Sequence, residues 1–411
     1  MKETILDVAI VGAGLAGLSC ALTLTRAGRQ CRLFEAANQP GGRVRTDSVE
    51  GFRLDRGFQV LLDAYPECQR FLNYDHLRLG RFLPGALVWN GSSLLRLVDP
   101  LRQPTQLPAA LRTPPGSLAD KLRVGALKAR LSLASIERIQ AHPEIPTREA
   151  FARLGFSQSF IKGFLEPFFK GIFLEESFST SSRMFEFVFK MFSRGAAALP
   201  HGGMQAIPDQ LAANLPPQAL CLRSPVRSVH RSSLTLESGE SIKAHQVVLA
   251  TDMETAARLS PGIPSRSWNS TRCFYFSTPR SPLREPLIVL NGSGGGSFSN
   301  LSVPSDVASG YAPGKAALVS VSLRPGFAPD PQDLVAEIRT CLGEPKLPLQ
   351  FLKSYSIEKA LPRQDPGDNP FGKAPRRLRD GIWICGDYRD SGSLDGAMRS
   401  GRHAAEALLQ A

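Results

Sequence analysis

The sequence has 411 residues, of which 42% are hydrophobic, so it is long and apolar enough for more than one structural unit with a substantial core. Its formal charge of +12 permits anionic partners, but lysine and arginine are spread along the chain and no nucleic-acid recognition module occurs, so a nucleic-acid partner is not expected. The seven cysteines never form a C-x-x-C pair and the six histidines are dispersed. This excludes a disulfide framework, predicts no metal site and favours a reducing, cytoplasmic compartment.

A short apolar stretch near the start of the chain ends in a glycine-rich turn. The strand predicted over Val8–Val11 leads directly into Gly12, Gly14 and Gly17, which have the G-x-G-x-x-G spacing. In a dinucleotide-binding turn the first glycine allows a tight turn, the second lets a pyrophosphate approach the backbone, and the third lets the helix pack closely. The stretch therefore predicts a dinucleotide-binding unit.

The residues that follow fit the same unit. A helix is predicted over Leu18–Arg26, where N-terminal N–H groups and the helix dipole favour phosphate, and a second strand over Cys31–Phe34. Glu35 ends that strand about 20 residues after the glycines, where an acid is expected to bind a ribose hydroxyl. Residues 8–25 carry no charge and have the composition of a signal peptide or membrane span, but the glycine spacing and Glu35 explain them better.

A Gly-Gly-Arg motif, Gly41–Gly42–Arg43, follows Glu35 after five residues. This arrangement resembles the flavin amine oxidase superfamily, which includes phytoene-type carotenoid desaturases, protoporphyrinogen oxidases and amine oxidases, all binding FAD. The residues suit that cofactor, because paired glycines allow close backbone approach and the Arg43 guanidinium offers several donors to pyrophosphate oxygens.

Two further segments resemble flavin-contacting motifs of that superfamily. Phe52–Val60 is similar to the segment that passes beside the isoalloxazine ring, which implies backbone contact at Gly57 and an amide of Gln59 presented to substrate or flavin. Pro225–Val229 is similar to the strand whose valine contacts adenine, and Val247–Thr251 is typical of a buried parallel strand that ends at the nucleotide.

The end of the chain resembles the closing motif of the superfamily. The motif begins at Gly386–Asp387, which implies that Asp387 holds ribityl or phosphate-proximal groups. It continues through Gly392–Ala397 into a C-terminal helix, and the N-terminus of that helix, near Asp395, is expected to face the flavin N1/O2 edge. Cys385 lies beside this motif, but an ordinary buried cysteine is a better interpretation than a covalent flavin link.

The resemblance implies one non-covalently bound FAD and a set of contacts to it. The expected contact residues are Gly12, Ala13, Gly14, Leu15, Ala16, Glu35, Ala36, Gly42, Arg43, Gly57, Phe58, Gln59, Val226, Ala250, Thr251, Gly386, Asp387, Leu394, Asp395 and Ala397. The expected fold is α/β: a doubly wound Rossmann-type FAD domain with an inserted α+β substrate domain. Residues 1–65, 195–255 and 375–411 are predicted to form the FAD domain, and residues 66–194 and 256–374 the substrate domain.

The predicted substrate domain carries two unusual stretches. Leu118–Ala141 is predicted to be one basic amphipathic helix, with either a solvated or a membrane-facing surface. Ten phenylalanines between residues 160 and 192 recur at helix-like spacing, some expected in a packed core and some lining an apolar substrate cavity. A second G-x-G, at Gly292–Gly294, is followed by neither helix nor acid, so no NAD(P)H site is expected.

Three functions remain open at this point. The first is an FAD-dependent desaturase or dehydrogenase that takes hydride from an apolar, carotenoid-like substrate to flavin N5, with oxygen or a quinone as electron acceptor. The second is an amine, polyamine or protoporphyrinogen-type oxidase, and the third a FAD-bound protein without redox turnover. Anionic membranes are a further expected partner, which would make the protein peripheral on a membrane.

Two departures from the family pattern disfavour amine chemistry. Ser393 stands where amine oxidases of the family place a tyrosine of their aromatic cage, and Arg272 stands where they place a lysine near the flavin. Gln59, Arg272 and Asp395 are the candidate catalytic residues.

Overall fold

The structure is a computed structural model that describes residues 5–98, 102, 115–264, 266–367, 376–379 and 381–411. Its strands, β1 to β20, are Leu6–Val11, Cys31–Phe34, Thr46–Val49, Phe52–Asp55, Leu61–Leu62, Gly80–Arg81, Gly85–Trp89, Leu94–Val98, Ala197–Leu199, Leu220–Cys221, Val226–His230, Ser233–Leu236, Ser241–Leu249, Trp268–Thr278, Val289–Asn291, Phe298–Ser302, Ala317–Leu323, Gln350–Pro362, Arg377–Arg379 and Ile382–Ile384. Its helices, α1 to α14, are Leu15–Arg26, Pro66–Phe71, Tyr74–Leu77, Leu118–Leu133, Ile136–Ala141, Thr147–Arg153, Gln158–Phe160, Glu166–Phe173, Ser182–Arg194, Ala206–Ala213, Met253–Leu259, Pro304–Val307, Pro331–Leu342 and Leu394–Leu409.

An eight-stranded sheet holds the predicted βαβ unit. Its main path runs β10-β2-β1-β13-β12-β11, with β20 added beside β13 and β19 beside β20. Strand β1 pairs in parallel with β2 and β13, and β13 pairs in parallel with β20. The carboxyl ends of these four strands therefore meet at one edge, which is where ligands bind in sheets of this kind.

Helices α1 and α14 pack on this sheet and cross each other closely. A Cβ atom at Gly401 would lie 2.0 Å from the carbonyl oxygen of Ala16, so only a glycine allows this approach. The Ser19 hydroxyl on α1 donates a hydrogen bond to the Met398 carbonyl at 3.0 Å. This crossing joins the start of the chain to its closing motif.

A seven-stranded sheet, mostly antiparallel, forms the second layer, in the order β18-β14-β17-β16-β15-β7-β8. Leu334 and Ile338 of α13 cover one face of it by packing on Val319 and Val321 of β17. The opposite face turns toward the first sheet and toward the helices α4, α8 and α9, which line the same cavity. The space between these layers contains the candidate site.

The α/β fold class and the predicted strand–helix–strand order at the start of the chain are confirmed, with α1 beginning at Leu15 instead of Leu18.

The prediction of one continuous helix over Leu118–Ala141 is wrong. Ala134 takes an extended conformation and Ser135 caps a second helix by accepting a hydrogen bond from the Arg138 N–H, so α4 and α5 replace it. The predicted domain boundaries stay a prediction, and the one at residue 255 falls inside α11.

Candidate active site

A cavity of about 1540 Å³ lies between the two sheets and reaches from the β1–α1 turn to the phenylalanine-rich helices. Pockets for one drug-sized ligand have volumes of roughly 300–1,000 Å³. The cavity is therefore large enough for a dinucleotide and a second molecule together.

The β1–α1 turn has the geometry that its glycines predict. Gly12 has φ +100° and a Cβ there would lie 2.9 Å from the Ala250 carbonyl oxygen, whereas a Cβ at Gly17 would lie 2.0 Å from the Gly12 carbonyl oxygen. At Gly14 a Cβ would have no atom of the described residues within 4 Å, because that position faces the cavity. The open space in front of Gly14 fits a pyrophosphate.

The N-terminus of α1 is suited to bind an anion. Within the described residues, no side chain caps it and its first turn holds no acidic residue. Its orphan N–H groups and the positive end of the helix dipole therefore remain available to phosphate oxygens.

Glu35 ends β2 and lines the same cavity. Its carboxylate accepts hydrogen bonds from the backbone N–H of Ala13 at 2.8 Å and of Ala37 at 2.9 Å. These two bonds hold the carboxylate beside the turn, where its remaining lone pairs can accept ribose hydroxyls. Ala13 is itself fully buried, so its contribution to the site is this N–H donor to Glu35.

We expect Glu35→Arg to weaken FAD binding at least tenfold. The substitution removes the carboxylate that accepts the ribose hydroxyls, and a hydrogen bond to a charged group contributes about 1.5–3 kcal/mol. It also leaves the buried Ala13 N–H without its partner. Flavin retained after exhaustive dialysis measures the effect. Glu240→Arg, an identical charge change at an exposed residue, is the control. Equal flavin retention in the two variants would contradict the assignment of Glu35.

Arg43 joins the two ends of the chain at the cavity wall. Its guanidinium forms an ion pair with Asp387 at 2.6 Å, donates to the Ala360 carbonyl at 3.0 Å and lies 5.1 Å from the Trp268 ring centroid. Arg43 and Asp387 both line the cavity, so the two predicted cofactor contacts form a neutral pair there.

Gln59 is held by the backbone of the neighbouring motifs. Its amide nitrogen donates to the carbonyls of Arg43 at 3.0 Å and Arg56 at 3.2 Å, which fixes the orientation of the amide. Its amide oxygen is buried without a partner in the described structure. Gly57, two residues before it, has φ +88°, a backbone conformation that favours glycine, and a Cβ there would lie 2.8 Å from Ile357 Cδ1. A catalytic role for Gln59 stays a prediction.

The buried Asp55 carboxylate is the centre of a hydrogen-bond network beside this segment. Its carboxylate accepts hydrogen bonds from the hydroxyls of Thr46 and Tyr311 and from the Met204 N–H at 3.0 Å. Burial raises the pKa of Asp55 to about 6, although these hydrogen bonds favour its charged form. Asp55 lies in the segment that resembles a flavin-contacting motif, but its partners Thr46, Met204 and Tyr311 come from other parts of the chain and were not predicted from the sequence.

The closing motif reaches the cavity through its backbone and small side chains. Ser393 caps α14 by accepting a hydrogen bond from the Gly396 N–H at 2.9 Å, and Leu394 and Ala397 line the cavity. The Asp395 carboxylate is instead fully buried, where it accepts a hydrogen bond from the Glu67 N–H at 2.8 Å and pairs with Arg399 at 3.5 Å. Burial raises the pKa of Asp395 to about 6.

Two of the three predicted catalytic side chains, Arg272 and Asp395, lie outside the cavity lining. The Asp395 side chain points into the protein, because the first turn of α14 turns this face away from the cavity. Arg272 is exposed, since successive residues of a strand point to opposite faces and its neighbour Thr271 is the one that lines the cavity. The expectation of an ordinary cysteine at Cys385 agrees with its full burial beside Cys20, where a hydrogen bond between the thiols and burial raise the pKa of Cys20.

The far part of the cavity is apolar and aromatic. Six of the ten phenylalanines between residues 160 and 192 line it, and the other four pack in the core; the lining residues are Phe160, Phe164, Phe168, Phe169, Phe189 and Phe192. A π-helical turn over Ile161–Leu165 links α7 to α8 and sets the spacing of this wall. As predicted, some of these phenylalanines pack in the core and others line the cavity.

Several lining residues carried no recognisable signal in the sequence. They include Tyr65, which stacks on Phe187 at 5.8 Å, and Lys359, whose ion pair with Glu254 at 3.1 Å raises its pKa. Asn300 and Ser322 also line the cavity, from neighbouring strands of the second sheet. Their positions depend on strand pairing, which a single sequence does not reveal.

The chain is similar to known flavoproteins over most of its length. The family model described as flavin containing amine oxidoreductase matches residues 15–409. The phytoene dehydrogenase of Streptomyces griseus is 26% identical over 302 residues, which cover 65% of this chain and 58% of the relative. The hydroxyneurosporene desaturase of Cereibacter sphaeroides is 37% identical over 121 residues, 27% of this chain and 23% of the relative.

The matches to these two relatives thus span less than two thirds of their length. Among solved structures, wild-type putrescine oxidase bound to putrescine superimposes with a TM-score of 0.74 at 17% identity, covering 100% of both chains. At that identity the likeness concerns the fold.

Proposed function

The chain belongs to the family of flavin containing amine oxidoreductases, and we propose that it is an FAD-dependent enzyme that oxidises an apolar, isoprenoid-like substrate. FAD is the cofactor of this family. The observation that carries the proposal is the continuous cavity that joins the dinucleotide-binding turn to a chamber walled by phenylalanine. The printed names of two relatives, a phytoene dehydrogenase and a hydroxyneurosporene desaturase, support the same substrate class.

Different groups of the described residues would bind the cofactor and the substrate. The Gly14 backbone and the α1 N-terminus would hold the pyrophosphate, Glu35 a ribose, and the Leu394–Ala397 turn the flavin end. FAD, when bound, supplies a hydride acceptor at N5. The aromatic wall excludes water and orients the substrate by apolar contact, and the α14 N-terminus directs its dipole at the closing-motif side of the cavity.

We expect the flavin to be bleached anaerobically by a polyene precursor such as phytoene, while benzylamine and spermine leave it oxidised. Ser393 lies at the cavity as a helix cap and offers no aromatic face to an amine. Flavin absorbance after anaerobic mixing is the measurement, and re-oxidation by air or by an added quinone identifies the acceptor. Rapid hydrogen peroxide release with an amine would overturn the substrate class. No bleaching with any donor would favour a protein without redox turnover.

The exposed apolar surface of α4 indicates a route by which an apolar substrate reaches the cavity. Leu118, Leu122 and Leu133 are 57%, 67% and 88% exposed, and at 3.6 residues per turn they lie within roughly 60° of each other around the helix. Lys128 flanks this stripe on one side and Arg123 on the other. The same helix lines the cavity through Leu122 and Lys128. Among the described helices, each is too short or too polar to cross a bilayer.

We therefore expect α4 to dock on anionic membranes, with binding that weakens as salt rises. Flotation with anionic and neutral liposomes measures it. Leu118→Ser combined with Leu133→Ser should reduce flotation several-fold, because neither side chain has another use in the fold. Phe327→Ser, which removes an exposed aromatic elsewhere, is the control. Equal flotation with both lipids, insensitive to salt, would contradict the proposal.

A further inference from the structure

Two polar side chains interrupt the apolar wall of the cavity on the second sheet. Asn300 of β16 and Ser322 of β17 are direct partners in the strand pairing and are 3% and 4% exposed. Both line the cavity. Val319 and Val321 of β17 pack on α13, so the alternating serines of this strand face the opposite side of the sheet, toward the cavity.

The residues next to Asn300 and Ser322 show where this pair lies along the cavity. Thr271, on the next strand, lines the cavity on the side of Gly57, and a Cβ at Gly57 would lie 3.8 Å from Thr271 Cγ2. On the other side, Leu290 and Phe168 begin the apolar part. Asn300 and Ser322 therefore stand between the segment predicted to border the flavin ring and the phenylalanine-lined chamber.

The hydrogen-bonding capacity of the pair is largely unused inside the protein. The Asn300 amide nitrogen donates to the Ser299 hydroxyl at 3.2 Å. Within the described residues, neither the Asn300 amide oxygen nor the Ser322 hydroxyl takes part in a hydrogen bond. Ser320, one position along the same face, differs because its hydroxyl pairs with the Cys273 thiol at 3.4 Å.

A glycine of the facing helix makes room for the amide. A Cβ at Gly171 of α8 would lie 2.8 Å from the Asn300 amide nitrogen. Glycine is an unfavourable residue inside a helix, and here its missing side chain lets the amide lie at the cavity wall. The amide and the hydroxyl are thus held in place by strand pairing on one side and by α8 on the other.

We propose that Asn300 and Ser322 bind a hydroxyl or similar oxygen substituent of an otherwise apolar substrate. A substrate hydroxyl can donate to the Asn300 amide oxygen and accept from the Ser322 hydroxyl, which satisfies all three groups in a buried site. A site with such unpaired polar groups discriminates against an analogue that lacks the oxygen. The inference rests on the proposed apolar substrate and specifies its chemical class further.

Ligand affinity tests the inference without turnover. Geranylgeraniol and the hydrocarbon that lacks its hydroxyl group are titrated into the FAD-loaded protein, and the change in flavin absorbance and the shift in thermal midpoint give dissociation constants. In the wild type the alcohol should bind about tenfold more tightly than the hydrocarbon. Ser322→Ala and Asn300→Leu should each abolish most of that preference, bringing the dissociation constants of the alcohol and the hydrocarbon close together.

Ser302→Ala is the matched control. Ser302 lies on the same strand and face as Asn300, is fully buried and has an unpartnered hydroxyl, but it lies one step beyond the cavity lining. This variant should keep the preference for the alcohol. If Asn300→Leu perturbs flavin content, Ser322→Ala carries the test, because it removes a single oxygen atom.

The two proposals fail in different ways. Equal binding of alcohol and hydrocarbon by the wild type, or an undiminished preference in Ser322→Ala, would overturn the role of the polar pair and leave the apolar-substrate proposal standing. Absence of binding by both ligands would overturn the apolar-substrate proposal, and the inference with it.

Discussion

Gly14→Val is expected to give a folded protein that purifies without FAD. A side chain at Gly14 meets no atom of the described residues within 4 Å, and φ is −71° at this position, so neither sterics nor backbone strain opposes folding. The added isopropyl group instead fills the space required for the pyrophosphate in front of α1. The effect should therefore be loss of essentially all bound flavin at nearly unchanged stability of the apoprotein.

The ratio of absorbance at 450 nm to that at 280 nm in the purified protein measures the effect, and circular dichroism reports whether the protein is folded. Gly295→Val provides a matched control, because Gly295 is exposed and lies outside the cavity, and a Cβ there would meet only Ser293 Oγ, at 3.9 Å. A yellow, fully loaded Gly14→Val protein would refute the placement of the cofactor at the β1–α1 turn.

Arg399→Met is expected to destabilise the protein by about 3–5 kcal/mol, because it removes the cation between two buried carboxylates. The Arg399 Nε lies 3.1 Å from each carboxylate oxygen of Asp390, and its Nη1 lies 3.5 Å from Asp395. Asp390 and Asp395 are 1% and 0% exposed. Methionine keeps the packing volume on Phe187 and leaves the two charges uncompensated.

The loss should depend on pH in a defined direction. Burial raises the pKa of Asp395 to about 6 even beside Arg399, so this group favours the folded state below its ordinary pKa and loses that contribution as pH rises toward 6. Without the Arg399 guanidinium, the charged forms of the buried Asp390 and Asp395 carboxylates become still less favourable. The deficit of Arg399→Met should therefore be larger at pH 8 than at pH 5.

The thermal midpoints of the wild type and of Arg399→Met at the two pH values measure this deficit. At pH 8 the midpoint of the variant should be lower by on the order of 10 °C. Arg153→Met is the control, since the Arg153–Glu149 pair is 63% and 47% exposed and such surface pairs contribute less than about 1 kcal/mol. A shift of Arg399→Met no larger than that of the control would show that the buried cluster does not hold α14 in place.

The sequence by itself determined the parts of the site that depend on local chain geometry. Gly12, Gly14 and Gly17 act within one turn and one helix, and Glu35 is placed by the strand that it ends, so spacing along the chain was sufficient to predict them. The apolar character of the cavity wall was also predicted, because ten phenylalanines recur at helix-like spacing over 33 residues and some of them were expected to line a cavity.

The tertiary structure decided which side chains face the cavity. Thr271 and Arg272 differ by one position along a strand, and only the pairing of β14 with β18 shows that the first is inside and the second exposed. Asp395 was predicted from a motif, but the packing of α14 on α2 and Arg399 buries its carboxylate. Asn300 and Ser322, 22 residues apart, become neighbours through strand register alone. Register and helix rotation are set by long-range packing, which is why no local pattern in the sequence specified them.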